Sequence, residues 1–268
     1  MTTFYLGDCL EVMKDLSDNS IDCFIVDLPY GQLAPGRDLT TEPAGIAYSA
    51  RAHFGCDWDV KIDLEKFWEQ VKRLAKNDHT PVLMFCNTKF GIDLINSNPS
   101  WFRYDLVWDK GHGVSFLLAN KMPMKSHEMI YVFSKKGAFY RRVDVKTDKP
   151  NWKADRSKEK RVISTQYGAK THATNDIEYG KDGLRCPLSV IPIGGKSAGG
   201  HPTEKPEELY EWLLRRYVPE GGTVLDPTAG SFNSCFVADR LGLTAIGIEK
   251  DEAFYDKAVA RLNPHTPE

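Results

Sequence analysis

The chain has 268 residues, 41% hydrophobic and 27% charged, with a net charge of −2. This is the balance of a globular protein long enough to bury a core without disulfide or metal staples. No stretch approaches 18 uncharged apolar residues, which excludes a membrane-spanning helix, and the opening Met1-Thr2-Thr3-Phe4 has no basic or apolar stretch of a secretory signal.

In chain order, short apolar runs alternate with amphipathic stretches. Residues 21–26 read as a buried strand ending at Asp27. Leu64, Phe67, Trp68, Val71 and Leu74 recur at helical spacing behind Asp63, a good N-cap. Strands are expected at 81–85, 105–108 and 129–133. From 137 to 200 the periodicity is lost, ending in a Gly-rich turn. A helix resumes at Pro206, then come a strand at 223–226, a Gly/Ser turn, a helix through Cys235 to Val237, a strand at 244–249 and a last helix to Leu262. Strand–helix alternation predicts an α/β fold, doubly wound, with a mostly parallel sheet and ligands beyond the carboxyl ends of the strands. The α/β domain is expected over 1–136 and 201–268, and 137–200 is expected to be an insert.

The charge is unevenly distributed. Residues 135–170 hold twelve Lys/Arg against four acids, a net of +8, and the rest of the chain carries −10. A basic strip on an acidic body suits a polyanion; the alternative is a solvated insert. The six cysteines show no CxxC pair and the seven histidines no HxxxH spacing. A metal site is therefore not expected, and a reducing compartment, the cytoplasm, is.

Three segments carry chemistry. Asp27-Leu28-Pro29-Tyr30 follows a strand and brings together a carboxylate, a main-chain carbonyl and an aromatic face, a set suited to a flat heterocycle with an exocyclic amine. The alternative is an ordinary strand-to-turn exit. Asp226-Pro227-Thr228-Ala229-Gly230-Ser231-Phe232-Asn233 joins a strand to a helix, where turn amides face an anion and Asp226 an ammonium. Glu249, ending the next strand, suits a ribose diol. His201-Pro202-Thr203-Glu204-Lys205-Pro206 leads into a helix; there Lys205 could neutralise a carboxylate, and His201 is expected to be structural.

Taken in this order, the three segments resemble the motifs of the beta-class DNA amino-methyltransferases. In that permuted arrangement the catalytic Asp-Pro-Pro-Tyr motif precedes the cofactor motif Asp-Pro-Phe-x-Gly-Ser-Gly-Thr. Residues 6–11 and 126–135 also look like family landmarks, so the resemblance spans nearly the whole chain apart from the basic insert. It implies a Rossmann-like fold with circularly permuted motif order and an inserted target-recognition region. It also implies methyl transfer from S-adenosylmethionine to the N6 amine of a flipped adenine in double-stranded DNA. Asp27 favours adenine over the N4 amine of cytosine.

The resemblance assigns the target amine to Asp27, Leu28, Pro29 and Tyr30. The cofactor goes to Asp8, Cys9, Asp27, Lys205, Asp226, Thr228, Gly230, Ser231, Phe232, Asn233 and Glu249. DNA goes to Arg141, Arg142, Lys146, Lys153, Arg156, Lys158, Lys160 and Arg161. Residues 32–55 are expected to form a loop that orders on DNA. A homodimer is implied by several family members, and a restriction endonuclease partner is not visible in the sequence. Three positions depart from the family pattern: Leu28 replaces proline, Phe232 glycine and Asn233 threonine. The remaining alternatives are an RNA adenine methyltransferase, a small-molecule methyltransferase and a non-catalytic nucleic-acid-binding module of the same fold.

Overall fold

The computed structural model describes residues 1–31, 60–114, 116, 119–146, 184–194 and 204–262. The chain forms two compact units: Met1–Arg141 with Ser189–Glu268, and Arg142–Leu188. The larger holds an eight-stranded sheet in the order β1-β10-β9-β2-β3-β5-β4-β8. Its strands are β1 (Thr2–Leu6), β2 (Cys23–Val26), β3 (Val82–Cys86), β4 (Phe102–Val114), β5 (Lys125–Phe133), β8 (Val190–Pro192), β9 (Thr223–Asp226) and β10 (Thr244–Glu249). Only β5 runs against its neighbours. In the smaller unit, β6 (Val145–Lys146) pairs antiparallel with β7 (Leu184–Arg185).

The helices are α1 (Cys9–Val12), α2 (Leu64–Leu74), α3 (Thr88–Ser97), α4 (Glu207–Tyr217), α5 (Asn233–Arg240) and α6 (Glu252–Leu262). They cover both faces of the sheet, as the period-two alternation of its strands requires. In β2, Cys23 and Ile25 join the core beneath α4 and α5; Phe24 and Val26 join the core beneath α2 and α3. Asp63 caps α2 as its sequence predicts, accepting from the amides of Glu65 and Lys66 at 3.1 and 3.2 Å.

The order in the sheet reverses between β9 and β2, the switch point where ligands collect in doubly wound folds. These strands are parallel and in register, Cys23 against Val224 and Phe24 against Leu225. That register sets Asp226, which ends β9, opposite Ile25, and Asp27 leaves the carboxyl edge two positions further on, opposite Thr228. At the opposite edge, buried Asp22 ties the same pair of strands, accepting from the Thr223 amide and the Lys76 ammonium, both at 2.9 Å.

Two differences from expectation stand out. The expected insert 137–200 is not wholly outside the sheet: Val190–Pro192 pairs with β4, and residues 137–141 also belong to the larger unit. The β4–β5 pair also extends beyond the expected 105–108 and 129–133. Its end past Asp109 and His127 overhangs the carboxyl edge.

Gly247 in β10 is fixed by packing rather than by backbone angle. A Cβ there would lie 2.6 Å from the Phe232 ring and 2.8 Å from Cys235 Sγ. Gly247→Ala should destabilise the protein by about 1–3 kcal/mol, as overpacking does, lowering the urea midpoint without changing the denaturant slope.

Candidate active site

A cavity of about 670 Å³ opens at the carboxyl edge of the sheet, at the switch point. One end is lined by Asp27, Leu28, Pro29 and Tyr30, and the other by Asp8, Cys9, Thr228, Gly230, Ser231 and Glu249. Lys205 also lines it. Seven carboxylates and four lysines reach the wall, an acidic balance that favours a cationic ligand. Among the described residues, no cluster of His, Cys, Asp and Glu is arranged to hold a metal ion.

The Asp27 carboxylate is engaged on both oxygens. The Tyr30 hydroxyl donates to Oδ1 at 3.0 Å, and the buried Lys205 ammonium donates to Oδ2. Tyr30 stacks on Phe90, ring centroids 5.0 Å apart and planes inclined by 30°, while the ring itself lines the cavity. Burial, then the Asp27 charge, push the Tyr30 hydroxyl well above its ordinary pKa, so it stays a neutral donor. Leu28 is buried in the core, so the family's proline is replaced by an apolar anchor whose backbone carbonyl is retained.

Lys205 was expected to meet the carboxylate of a bound amino acid; its ammonium is committed to Asp27 instead. It also lies 4.5 Å from the centroid of the Phe85 ring. Burial pulls its pKa down, but the charges of Asp27 and Glu128 outweigh this and hold it above the ordinary lysine value. Glu128 was not singled out in the sequence. It lines the cavity and accepts from Lys110 Nζ at 2.5 Å. Burial works to raise its carboxyl, yet Lys205 and Lys110 together bring it below the ordinary glutamate range. Lys110, His112 and Val114, on the overhanging end of β4, also line the cavity, as does Tyr210 on α4. None of these follows a strand-end pattern, and only the strand pairing brings them to the cavity.

The Asp226 turn holds its shape through internal bonds. Asp226 is 3% exposed and lies behind the residues that line the cavity. Its Oδ2 accepts from the Ser234 hydroxyl and its Oδ1 from the Thr228 amide at 3.1 Å. Glu249 accepts from the Gly230 amide at 2.8 Å and the Asp251 amide at 2.9 Å while facing the cavity.

Phe232 and Asn233 are likewise turned away from the cavity, against expectation. Phe232 keeps the left-handed backbone of the glycine it replaces (φ 58°), and its ring is fully buried 4.2 Å from that of Phe4. Asn233 donates to Glu204 Oε1 at 2.6 Å and accepts from Arg261 at 3.0 Å, so it braces the segment that carries Lys205. Thr228 lines the cavity, and its Oγ1 is, among the described residues, a buried oxygen with no hydrogen-bond partner.

Of the expected DNA contacts, Arg141 belongs to the larger unit. It donates to the Arg215 carbonyl at 3.0 and 3.2 Å and to Glu220 at 2.9 Å, beside the amino end of β9 and away from the cavity. Arg142 pairs with Asp144 at 2.5 and 2.7 Å, and Lys146 is exposed on β6. Lys153, Arg156, Lys158, Lys160, Arg161, His201 and the loop 32–55 lie outside the described residues.

A doubly wound sheet with an acidic cavity at its switch point, entered by Asp-Leu-Pro-Tyr on one side and a Gly-bearing turn on the other, defines a nucleotide-cofactor enzyme of the methyltransferase type. The chain belongs to the DNA methylase family, whose model matches residues 21–260, and is a DNA methyltransferase. It is 25% identical to the Type II methyltransferase M.HpaI of Haemophilus parainfluenzae, over 96% of this chain and 73% of that protein. It is 27% identical to the Type II methyltransferase M.HinfI of Haemophilus influenzae, over all of this chain and 70% of that protein. Two solved structures share the fold. The complex of M1.HpyAVI with SAM is 18% identical at a TM-score of 0.58, covering 97% of this chain and all of that one. The cytosine-N4-specific PvuII DNA methyltransferase is 14% identical at a TM-score of 0.62, covering all of this chain and 88% of that one.

Burial raises the Asp226 carboxyl to about 7, against the opposing bonds from Ser234 and Thr228. The folded protein thus binds a proton there that the unfolded chain, near the ordinary value of 3.8, has released. That proton stabilises the fold at low pH, and the contribution fades as pH rises from about 4 to about 7. Asp226→Asn keeps the acceptor for Thr228 and removes the titration. Its stability relative to the parent should therefore increase between pH 4.5 and pH 7.5, measured by urea unfolding at both values.

Proposed function

We propose that this DNA methyltransferase transfers a methyl group from S-adenosylmethionine to the N6 amine of an adenine flipped out of double-stranded DNA, at a specific sequence. The observation that carries this reading is the meeting of Asp27 and Tyr30 with the turn after Asp226 in one cavity, across adjacent parallel strands. The residues present suit the cofactor. Glu249 faces the cavity as an acceptor for a ribose diol, Thr228 Oγ1 is an unpartnered buried polar atom, and the acidic wall favours a sulfonium and an ammonium. When bound, the cofactor supplies an electrophilic methyl group.

The chain's own residues do the rest. A flipped base costs a few kcal/mol to extract, and stacking on Tyr30 recovers about 1–3 kcal/mol of it. Phe90 backs the Tyr30 ring and fixes its plane. Asp27 and the Leu28 carbonyl accept the two amine hydrogens, holding the nitrogen with its lone pair out of conjugation and facing the methyl carbon. The Asp27 carboxylate also stabilises positive charge developing on that nitrogen. The surplus proton leaves to water after transfer.

The basic residues of 142–170 set DNA affinity through phosphate contacts, and Arg141, bound to α4 and Glu220, is not counted among them. The same reading extends to a bacterial cytoplasm and to a homodimer.

Three measurements check this. Sequencing the modified bases of a plasmid expressed with the protein should show N6-methyladenine within one sequence word; N4-methylcytosine or an unmodified plasmid would contradict it. Asp27→Ala should lower methyl transfer at least 100-fold while leaving the dissociation constant for S-adenosylmethionine within about threefold. DNA affinity should fall steeply between 50 and 200 mM salt, by about 10³-fold or more if six phosphates are contacted.

A further inference from the structure

Asp27 is to accept a hydrogen bond from the target amine, and each of its oxygens already accepts one bond. Tyr30 donates to Oδ1 and Lys205 to Oδ2. Lys205 is 4% exposed, and its ammonium is a nitrogen with N–H donors set against a catalytic carboxylate, as the incoming amine will be. One anion near it besides Asp27 is Glu128, itself held by Lys110 and itself on the cavity wall. The three acids that act on Lys205 are thus Asp27, Glu128 and Asp226. The other groups facing this cluster are the Tyr30 and Tyr210 hydroxyls and the Cys86 thiol, each raised by burial and so uncharged.

We propose that Lys205 is a positioning residue for methyl transfer: its ammonium holds the place of the target amine on Asp27 Oδ2 and shifts toward Glu128 when the base enters. This rests on the adenine reading above and adds to it a cation that acts through Asp27 without touching the reacting atoms. While the cavity is empty of base, Lys205 pairs with this partly buried carboxylate and fixes its rotamer. On entry, the amine takes Oδ2, and the charge of Lys205 stays within the cluster because Glu128 accepts it. No proton needs to move between Lys205 and Asp27. The pair Lys110–Glu128 makes the second berth partly engaged, so Lys205 rests on Asp27 until a base competes for it.

Three substitutions with distinct signatures test this on the enzyme, with unmethylated duplex DNA containing the target word and S-adenosylmethionine as substrates. Lys205→Met removes the cation. It should lower kcat about 100-fold, because Asp27 is left without its counter-ion; the dissociation constant for S-adenosylmethionine should stay within about threefold. Lys205→Arg, which keeps the charge, should recover at least tenfold of that loss. Glu128→Gln keeps the shape and removes the berth. It should raise KM for DNA roughly tenfold with kcat changed less than threefold, because the ammonium then competes more strongly for Oδ2. Thermal unfolding of each variant separates these effects from loss of fold.

A folded Lys205→Met enzyme with the parent's kcat would overturn the proposal. So would one whose defect is a weakened affinity for S-adenosylmethionine, which would return Lys205 to the cofactor. If Lys205→Met proves unfolded, Glu128→Gln decides alone, and an unchanged KM for DNA overturns the proposal. An unsubstituted enzyme that methylates no DNA refutes the adenine reading itself, an outcome distinct from all of these.

Discussion

The contact between the carboxylate of Asp27 and the ammonium of Lys205 joins parts of the chain 178 residues apart. Burying either charge alone would be costly, and breaking such a pair is far more damaging than replacing it whole. The site therefore forms as a unit. The strand exit after β2 and the approach to α4 must both arrive before the charges of Asp27 and Lys205 are compensated, and the β5 carboxylate Glu128, held by Lys110, adds to the cluster. Asn233 contributes from a fourth direction by bracing Glu204 beside Lys205. A buried ionic cluster of this kind does little for net stability. It does specify which strand ends face each other, and that is what the chemistry needs.

The turn between β9 and α5 shows how a family motif can lose its usual residues and keep its path. The left-handed position that glycine occupies in the family pattern is held here by Phe232, whose ring fills the space over Gly247 and stacks beside Phe4. The cost of the left-handed backbone, about 1–2 kcal/mol, is offset by burial of an aromatic ring, about 1.5–3 kcal/mol. Asp226, by accepting from Thr228 and Ser234, serves the same loop from beneath.

Much of this was legible in the sequence because it is local. The buried strands β2 and β9, the cap at Asp63 and the polar strand ends Asp27, Asp226 and Glu249 each have a signature within a few residues, and the motif order fixed the family. Strand β1 and helix α3 were not read. β1 is a five-residue, partly exposed edge strand, and α3 is capped by Asn87 but carries Gly91 within it. The short β8 hid in a stretch whose composition suggested an insert. Within the site, the residues that escaped were those delivered by pairing rather than by motif. Glu128 and Trp108 face each other only through the register of β4 and β5. The partner of Lys205 could not be told from spacing, since a lysine beside two carboxylate-bearing strand ends has more than one possible acceptor.

The sheet's connectivity has a consequence for how the enzyme comes into being. β10 and β9 lie between β1 and β2, so β1 sits at the edge of a sheet whose neighbouring positions are filled by strands from far along the chain. Thr2 pairs beside Ala245, and no shorter nascent chain can close that gap. At a synthesis rate of about 5–20 residues per second, the early segments wait on the order of ten seconds or more with their strand edges open. Assembly of the cavity therefore waits on the pairing of β9 and β10 with strands from the other end of the sequence.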